Sequence, residues 1–276
     1  LMLSAEEQAV QQANGTFSEI FNVDGLLSQN PTLAAVVWWL AVILLGWLAF
    51  PLTFTIFRGL PDRGYALARI LSLLFVSYFG WLMASAQWLP NSRRTLLLGV
   101  LLVGLLSLLV YLRRSREIAN FVRKNLAYIG VVELLGVALF LIMIGIRLGN
   151  PDVWDVIWGG EKPMDLSYFT AVLKSTTFPP YDPWFVGGYI NYYYYGFVYV
   201  GALTKLLGII PAVAYNLILP MLFSFTGVGV FSIAYNLVKS QDSRLENNRQ
   251  SSIVNRQSKK AIIAGLIATS LAILLG

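Results

Sequence analysis

Cysteine and histidine are both absent from the 276 residues. Without cysteine there is no disulfide and no thiolate nucleophile, and without either residue a zinc site of the usual kind is excluded. No imidazole is available as a general base. The commonest axial ligand of haem is missing too, which argues against a haem carrier. Charge is also scarce: only 12% of residues are charged against 57% hydrophobic, and the mean hydropathy is +0.66. That composition excludes an ordinary soluble domain. Short alternating segments of the outer-membrane barrel type are not visible either. The N-terminal stretch has acids but no basic n-region, so it does not read as a cleavable signal peptide.

What remains is a set of apolar runs, several reaching the roughly 20 residues that cross a hydrocarbon layer about 30 Å thick. The expected fold is an all-α polytopic membrane protein of about seven transmembrane helices. The spans are expected near 33–57, 67–89, 95–112, 126–147, 190–208, 212–238 and 261 to the end. Residues 1–31 then form a polar N-terminal segment with a short amphipathic helix, and 32–147 a four-helix region. Residues 148–189 make a large external loop, 190–238 two more spans, and 239–260 a polar, mobile linker rich in Ser, Asn, Gln and Arg. A further span starts at 261, and the chain stops inside that apolar run at Gly276, the pattern of a fragment. Pro51 and Pro220 fall inside spans, where neighbouring helices can satisfy the freed carbonyls.

A net charge of +6 in a soluble chain would suggest a nucleic-acid partner. Here the cations cluster between apolar runs and set orientation instead, and no nucleic acid is expected. Arg58, Arg63 and Arg69 mark one cytoplasmic loop; Arg113, Arg114, Arg116, Arg123 and Lys124 mark another. The N-terminus and the 148–189 loop are then external. One segment disagrees: the 239–260 linker holds six basic residues yet falls outside by simple counting.

The external loop differs from the rest of the chain. Glu161 and Asp165 are four residues apart, and Pro163 suits the first turn of a helix, which would put both carboxylates on one face. Residues 165–174 then read as an amphipathic helix with Leu166, Phe169, Val172 and Leu173 on the membrane side. The stretch FPPYDPWFVGGYIN is stiffened by Pro179, Pro180 and Pro183, and Trp154, Trp158, Tyr181 and Trp184 bracket the loop as interfacial rings do. Each feature also has a plainer reading. Glu161 and Asp165 serve equally as helix-capping or solvated acids, and Asp182 as a turn former. The tyrosine run 192–195 would serve as an interfacial anchor, since four successive residues point to every side of a helix. Glu133 lies inside the fourth span, where an interhelical pair or a hydrogen-bonded neutral acid is expected. Arg147 ends that span, either snorkelling to headgroups or holding a phosphate.

Arg147…Asn150-Pro151, EKPMD (161–165), FPPYDPWF (178–185), GG-Y-IN (187–191) and the tyrosine run resemble the prokaryotic "YYY" membrane protein family, over at least residues 60–238. That family is uncharacterised and is named for its tyrosine triplet. It is in turn similar to the GT-C glycosyltransferases, which include protein O-mannosyltransferases and aminoarabinose transferases. This second likeness rests on an acidic motif in an external loop, an amphipathic helix after it and an aromatic return to the membrane. Their signature is an adjacent Asp-Glu pair, where this chain separates Glu161 from Asp165 by three residues.

The resemblance implies transfer of a sugar from a polyprenyl-phosphate to an acceptor at the external face. In that scheme Asp165 is the first choice for the base and Glu161 the second. Lys162, Arg147 and Lys174 are the cations for phosphate. Tyr181, Trp184, Asn191 and Tyr192 shape the sugar and acceptor site, and Glu161, Asp165 or Asp182 could hold a divalent cation. The alternative is a non-enzymatic scaffold or accessory subunit packed against other membrane subunits. A transporter is less supported, since Glu133 alone is a thin ion pathway and no inverted repeat is visible.

Overall fold

The computed structural model describes residues 4–6, 9, 21–153, 160–245 and 254–275. After a single turn at Leu26–Gln29, the helices are α1 (Pro31–Ile56), α2 (Ala68–Ser85), α3 (Arg93–Lys124) and α4 (Leu126–Gly149). They continue with α5 (Lys162–Lys174), α6 (Tyr194–Leu207), α7 (Pro211–Leu245) and α8 (Val254–Leu275). Extended structure among the described residues is confined to an isolated antiparallel bridge between Tyr181 and Tyr189. Among the described residues five helices are long and apolar enough to cross a membrane: α1, α2, α3, α4 and the Pro211–Gln241 part of α7. The chain is an all-α integral membrane protein with several passes.

Local chemistry explains where these helices start and stop. The Asn30 side chain accepts the Leu33 N–H at 3.0 Å while Pro31 occupies the first helical position of α1, whose missing donor costs nothing there. Ser92 caps α3, its hydroxyl accepting the Thr95 N–H at 3.3 Å. α6 ends at Gly208, whose φ of +69° is the left-handed conformation that a side chain would disfavour.

Three elements differ from expectation. The basic stretch expected as a loop at 113–124 continues α3 past a kink at Arg114 (φ −129°, ψ 19°). Its arginines stay wet while Ile118 is buried. The linker expected to be mobile over 239–260 is helical at both ends, in α7 to Leu245 and in α8 from Val254; residues 246–253 lie outside the described residues. The stretch expected to span at 190–208 is helical for only 14 residues. At about 1.5 Å per residue that is roughly 21 Å, short of a hydrocarbon layer. Most of the N-terminal segment, with its expected amphipathic helix, also lies outside the described residues.

The described chain forms two compact units. The first comprises residues 1–43, 72–103 and 146–219, and contains all ten residues singled out in and around the external loop. Its α5 and α6 pack on each other, Leu173 lying 3.0 Å from the point a Cβ on Gly201 would occupy. Leu166, Phe169, Val172 and Leu173 are buried in protein here. This corrects the expectation that they face lipid: the apolar stripe of α5 finds α6 first.

The second unit, residues 44–71, 104–145 and 220–276, has an aromatic core in which Tyr128 lies 4.2 Å from Tyr235, centroid to centroid, beside Phe50, Phe54 and Phe231. Its buried and half-buried carboxylates are hydrogen-bonded. Asp62 accepts hydrogen bonds from Tyr128 Oη (2.8 Å), Ser232 Oγ (2.9 Å) and the Gly64 N–H (2.9 Å). Glu133 pairs with Arg69 at 2.5 Å and accepts the Tyr65 hydroxyl at 2.7 Å, the interhelical pair expected of a carboxylate at that depth.

Candidate active site

Helix α5 starts immediately after Glu161, with Pro163 in its first turn and Asp165 one turn in, its amide bonded to the Glu161 carbonyl at 2.9 Å. Helical spacing therefore brings the two carboxylates to one face. Glu161 is exposed and makes no side-chain cap bond, so the capping reading does not apply to it. Asp165 is partly buried, and its Oδ2 lies 3.4 Å from the Tyr215 hydroxyl on the first turns of α7. Burial lifts the Asp165 carboxyl above its ordinary range, the neighbouring charge of Glu161 lifts it further, and the Tyr215 hydrogen bond partly offsets both.

Beside Tyr215, Asn216 organises the end of α4. Its Oδ1 accepts from Arg147 Nε (2.9 Å) and Nη2 (2.5 Å), and its Nδ2 donates to the Pro151 carbonyl at 3.0 Å. Arg147 is only 8% exposed, so it is turned inward and does not snorkel to the headgroups. Tyr215 and Asn216 escaped sequence reasoning. The signal available was a Tyr-Asn pair opening an otherwise apolar helix just after Pro211.

The return segment 175–193 is folded back on α5. Ile190 N donates to the Pro180 carbonyl (2.8 Å) and Asp182 N to the Gly188 carbonyl (3.0 Å), closing a tight loop. Asp182 accepts the Trp184 N–H at 2.8 Å, which is the turn-forming role. Trp184 donates from Nε1 to Ser167 Oγ at 2.9 Å, tying the loop tip to α5 although its ring is 64% exposed. Tyr181 is half-buried, and burial raises its phenol.

The tyrosine run divides. Tyr192 and Tyr193 are exposed, with rings 4.1 Å apart and Tyr193 in the left-handed conformation (φ 66°) just before α6. The pKa of Tyr193 is raised first by its hydrogen bond with Tyr192 and by that neighbour's charge, and to a lesser degree by Glu161 and Asp165. That places this ring near the carboxylates. Tyr194 and Tyr195 turn the other way: Tyr194 accepts Trp81 Nε1 at 3.0 Å and stacks on Phe178, and Tyr195 meets Trp81 edge-on. One pair of rings is therefore structural and the other is available.

The remaining expected residues are dispersed. Lys162 reaches the Asp152 carbonyl at 3.4 Å. Lys174 is in the last turn of α5, about 14 Å along the helix axis from Asp165. Asn191 is exposed at the foot of the return loop. Trp154 and Trp158 lie outside the described residues. Among the described residues no three potential metal ligands gather. The site thus joins Glu161, Asp165, Tyr215 and the Arg147–Asn216 pair, with Tyr192 and Tyr193 alongside. It can position a hydroxyl and take a proton from it.

No curated protein and no solved structure matches the chain. A family model does, over residues 75–276, which include every residue of this site. The chain belongs to the uncharacterized membrane protein family DUF2298.

Proposed function

We propose that the protein is a membrane glycosyltransferase of the GT-C kind, passing a sugar from a polyprenyl-phosphate to an acceptor hydroxyl at the external face of a prokaryotic cytoplasmic membrane. The observation that carries this reading is the state of Asp165. It is a partly buried carboxylate, raised by burial and by Glu161, and hydrogen-bonded by Tyr215 at a loop edge lined with aromatic rings. A raised carboxylate is a stronger base than an ordinary one, and a placed base contributes about 10²–10⁴-fold.

In the reaction the acceptor oxygen forms a bond to the anomeric carbon and gives its proton to Asp165. The bond from that carbon to the phosphate oxygen breaks, and its electron pair leaves with the phosphate. Arg147 and Lys162 are the cations close to this end of α5 and stabilise the departing charge. Glu161 keeps Asp165 basic, Tyr215 holds its orientation, and Tyr192, Trp184 and Tyr181 present faces on which a sugar packs. Glu161 and Asp165 offer oxygen ligands of the type divalent cations take, and loss of transfer on adding EDTA would reveal that requirement.

Asp165→Asn abolishes transfer of radiolabelled sugar in membranes while the protein still inserts and folds. An undiminished rate in that variant rules Asp165 out as the base.

One observation favours a second reading, a non-enzymatic subunit of a larger membrane assembly. Phe185 and Val186 at the loop tip are 56% and 92% exposed, a small apolar edge suited to a partner. A stoichiometric partner covering that tip in the purified complex, with Asp165→Asn silent, would select it.

A further inference from the structure

A cavity of about 230 Å³ lies in the first unit where the 86–92 turn, the C-terminal end of α5 and the C-terminal end of α6 converge. Its polar lining is Asn91, Ser92, Arg93, Thr176 and Lys205, with Gly208 at the edge. None of the five polar groups belongs to the carboxylate site described above.

Among the described residues two cations face this space and no anion does. Lys205 is 6% exposed, and its ammonium donates to the Asn91 carbonyl. Arg93 opens α3 on the exposed side, with Nη1 3.9 Å from the point a Cβ on Gly208 would occupy. The ion pairs among the described residues are Arg69–Glu133 and Arg114–Glu117, and neither Lys205 nor Arg93 has a carboxylate partner among them. A buried ammonium is normally paired, because removing it from water is costly and one carbonyl returns little of that cost. The N-terminus of α3, the positive end of its dipole, lies at this lining, where Ser92 and Arg93 stand.

The junction is built to hold its shape. Asn91 receives the α6 ammonium on its carbonyl, donates its amide N–H to the Thr176 carbonyl at 2.7 Å and donates Nδ2 to the Ser175 carbonyl at 3.1 Å. Three chain segments are thereby clamped around one void. Thr95 Oγ1 fixes the turn by donating to the Pro90 carbonyl at 2.6 Å.

We propose that this cavity is a binding site for a phosphate group, held between the Lys205 ammonium and the Arg93 guanidinium with the Ser92 and Thr176 hydroxyls beside it. The chemistry serves a lipid phosphomonoester and free inorganic phosphate alike. It does not depend on the transferase reading, since neither Glu161 nor Asp165 takes part.

The test uses the full chain in nanodiscs of phosphatidylcholine, with two arms: inorganic phosphate by equilibrium dialysis, and phosphatidic acid admixed into the disc. Each arm is also read as a shift in thermal unfolding, since a ligand that binds only the folded state raises it. Wild type binds in at least one arm and is stabilised by it; the arm that responds names the source. Lys205→Met and Arg93→Gln each lose tenfold or more in affinity and lose the thermal shift, whereas Arg94→Gln, one residue outside the lining, retains both. Lys205→Met keeps the aliphatic stem and removes an uncompensated charge, so without phosphate it unfolds no earlier than wild type. Wild type inert in both arms overturns the proposal. So does binding that survives both substitutions, or a Lys205→Met protein destabilised equally with and without phosphate, which would make the lysine a structural tie only.

Discussion

Asp165 experiences three influences that can be separated by substitution. Burial and the Glu161 charge raise its pKa, and the Tyr215 hydroxyl lowers it. A carboxylate acts as a base only when ionised, so transfer falls as pH drops through the raised value, which lies above the ordinary aspartate range near 4. Glu161→Gln removes a like charge, so the carboxyl ionises more readily and the acid limb of kcat/KM moves to lower pH. Tyr215→Phe removes a donor that favours the charged form, so the limb moves to higher pH. Opposite displacements of the two pH–rate profiles are the expected result. Coincident profiles would detach both groups from the base. Part of this was legible in the sequence, because Pro163 and the four-residue spacing fix the two carboxylates on one helical face. Tyr215 was not. It lies fifty residues further on, and nothing in local periodicity says which turn of α7 meets α5. Asp182 shows the reverse: a turn role written in its Tyr-Asp-Pro context, and found.

At the scale of elements, close helix contact replaces the hydrophobic drive that lipid does not provide. In the second unit Gly227 carries α8 against α7: its carbonyl accepts Thr269 Oγ1 at 3.1 Å, and an added Cβ would fall 2.3 Å from Leu139 Cδ1 of α4. On α8, a Cβ at Gly265 would fall 2.6 Å from Cδ2 of the fully buried Phe231 ring and 3.1 Å from that residue's carbonyl. Gly265→Ala therefore forces a packed ring to move and costs about 1–3 kcal/mol. Gly130→Ala has no atom within 4 Å to meet and changes stability by no more than about 1 kcal/mol, in the favourable direction that helix propensity dictates. Resistance to SDS unfolding measures both, and equal stability of the two variants would mean that α7 and α8 separate freely. The long apolar runs gave away α1 to α4 and α7, because hydropathy over 20 residues reports the solvent directly. The extension of α3 to Lys124 stayed hidden behind its charge. A stretch of arginines reads as loop until the buried Ile118 and the partly buried Phe121 and Val122 are seen to share a helical face.

For the whole molecule, the unresolved matter in the sequence was the side of the membrane taken by the six cations of 239–260. The structure bears on it through α6. The first residue of α6, Tyr194, accepts a bond from Trp81, and Lys205 near its last turn donates to Asn91. The first residue of α6 is thus tied to α2 and its last turn to the turn before α3. At about 1.5 Å per residue its 14 residues reach roughly 21 Å, short of a hydrocarbon layer, so α6 is not expected to carry the chain across. On that expectation only α7 crosses between the 148–189 loop and the linker; its start is bonded to Arg147 at the end of α4, and Asn236 is bonded to the amide of Asp62 in the arginine-bearing 58–69 loop. The linker is then expected on the same face as the other basic loops, which is where the charge rule would put it. Because the chain has no cysteine, single-cysteine labelling tests this without background. Val186→Cys, fully exposed at the loop tip, reacts with an impermeant maleimide from outside intact cells. Gly59→Cys and Gln241→Cys react only after permeabilisation. If Gln241→Cys labels together with Val186→Cys, then 190–208 crosses after all, and α6 lies in the bilayer as a full span.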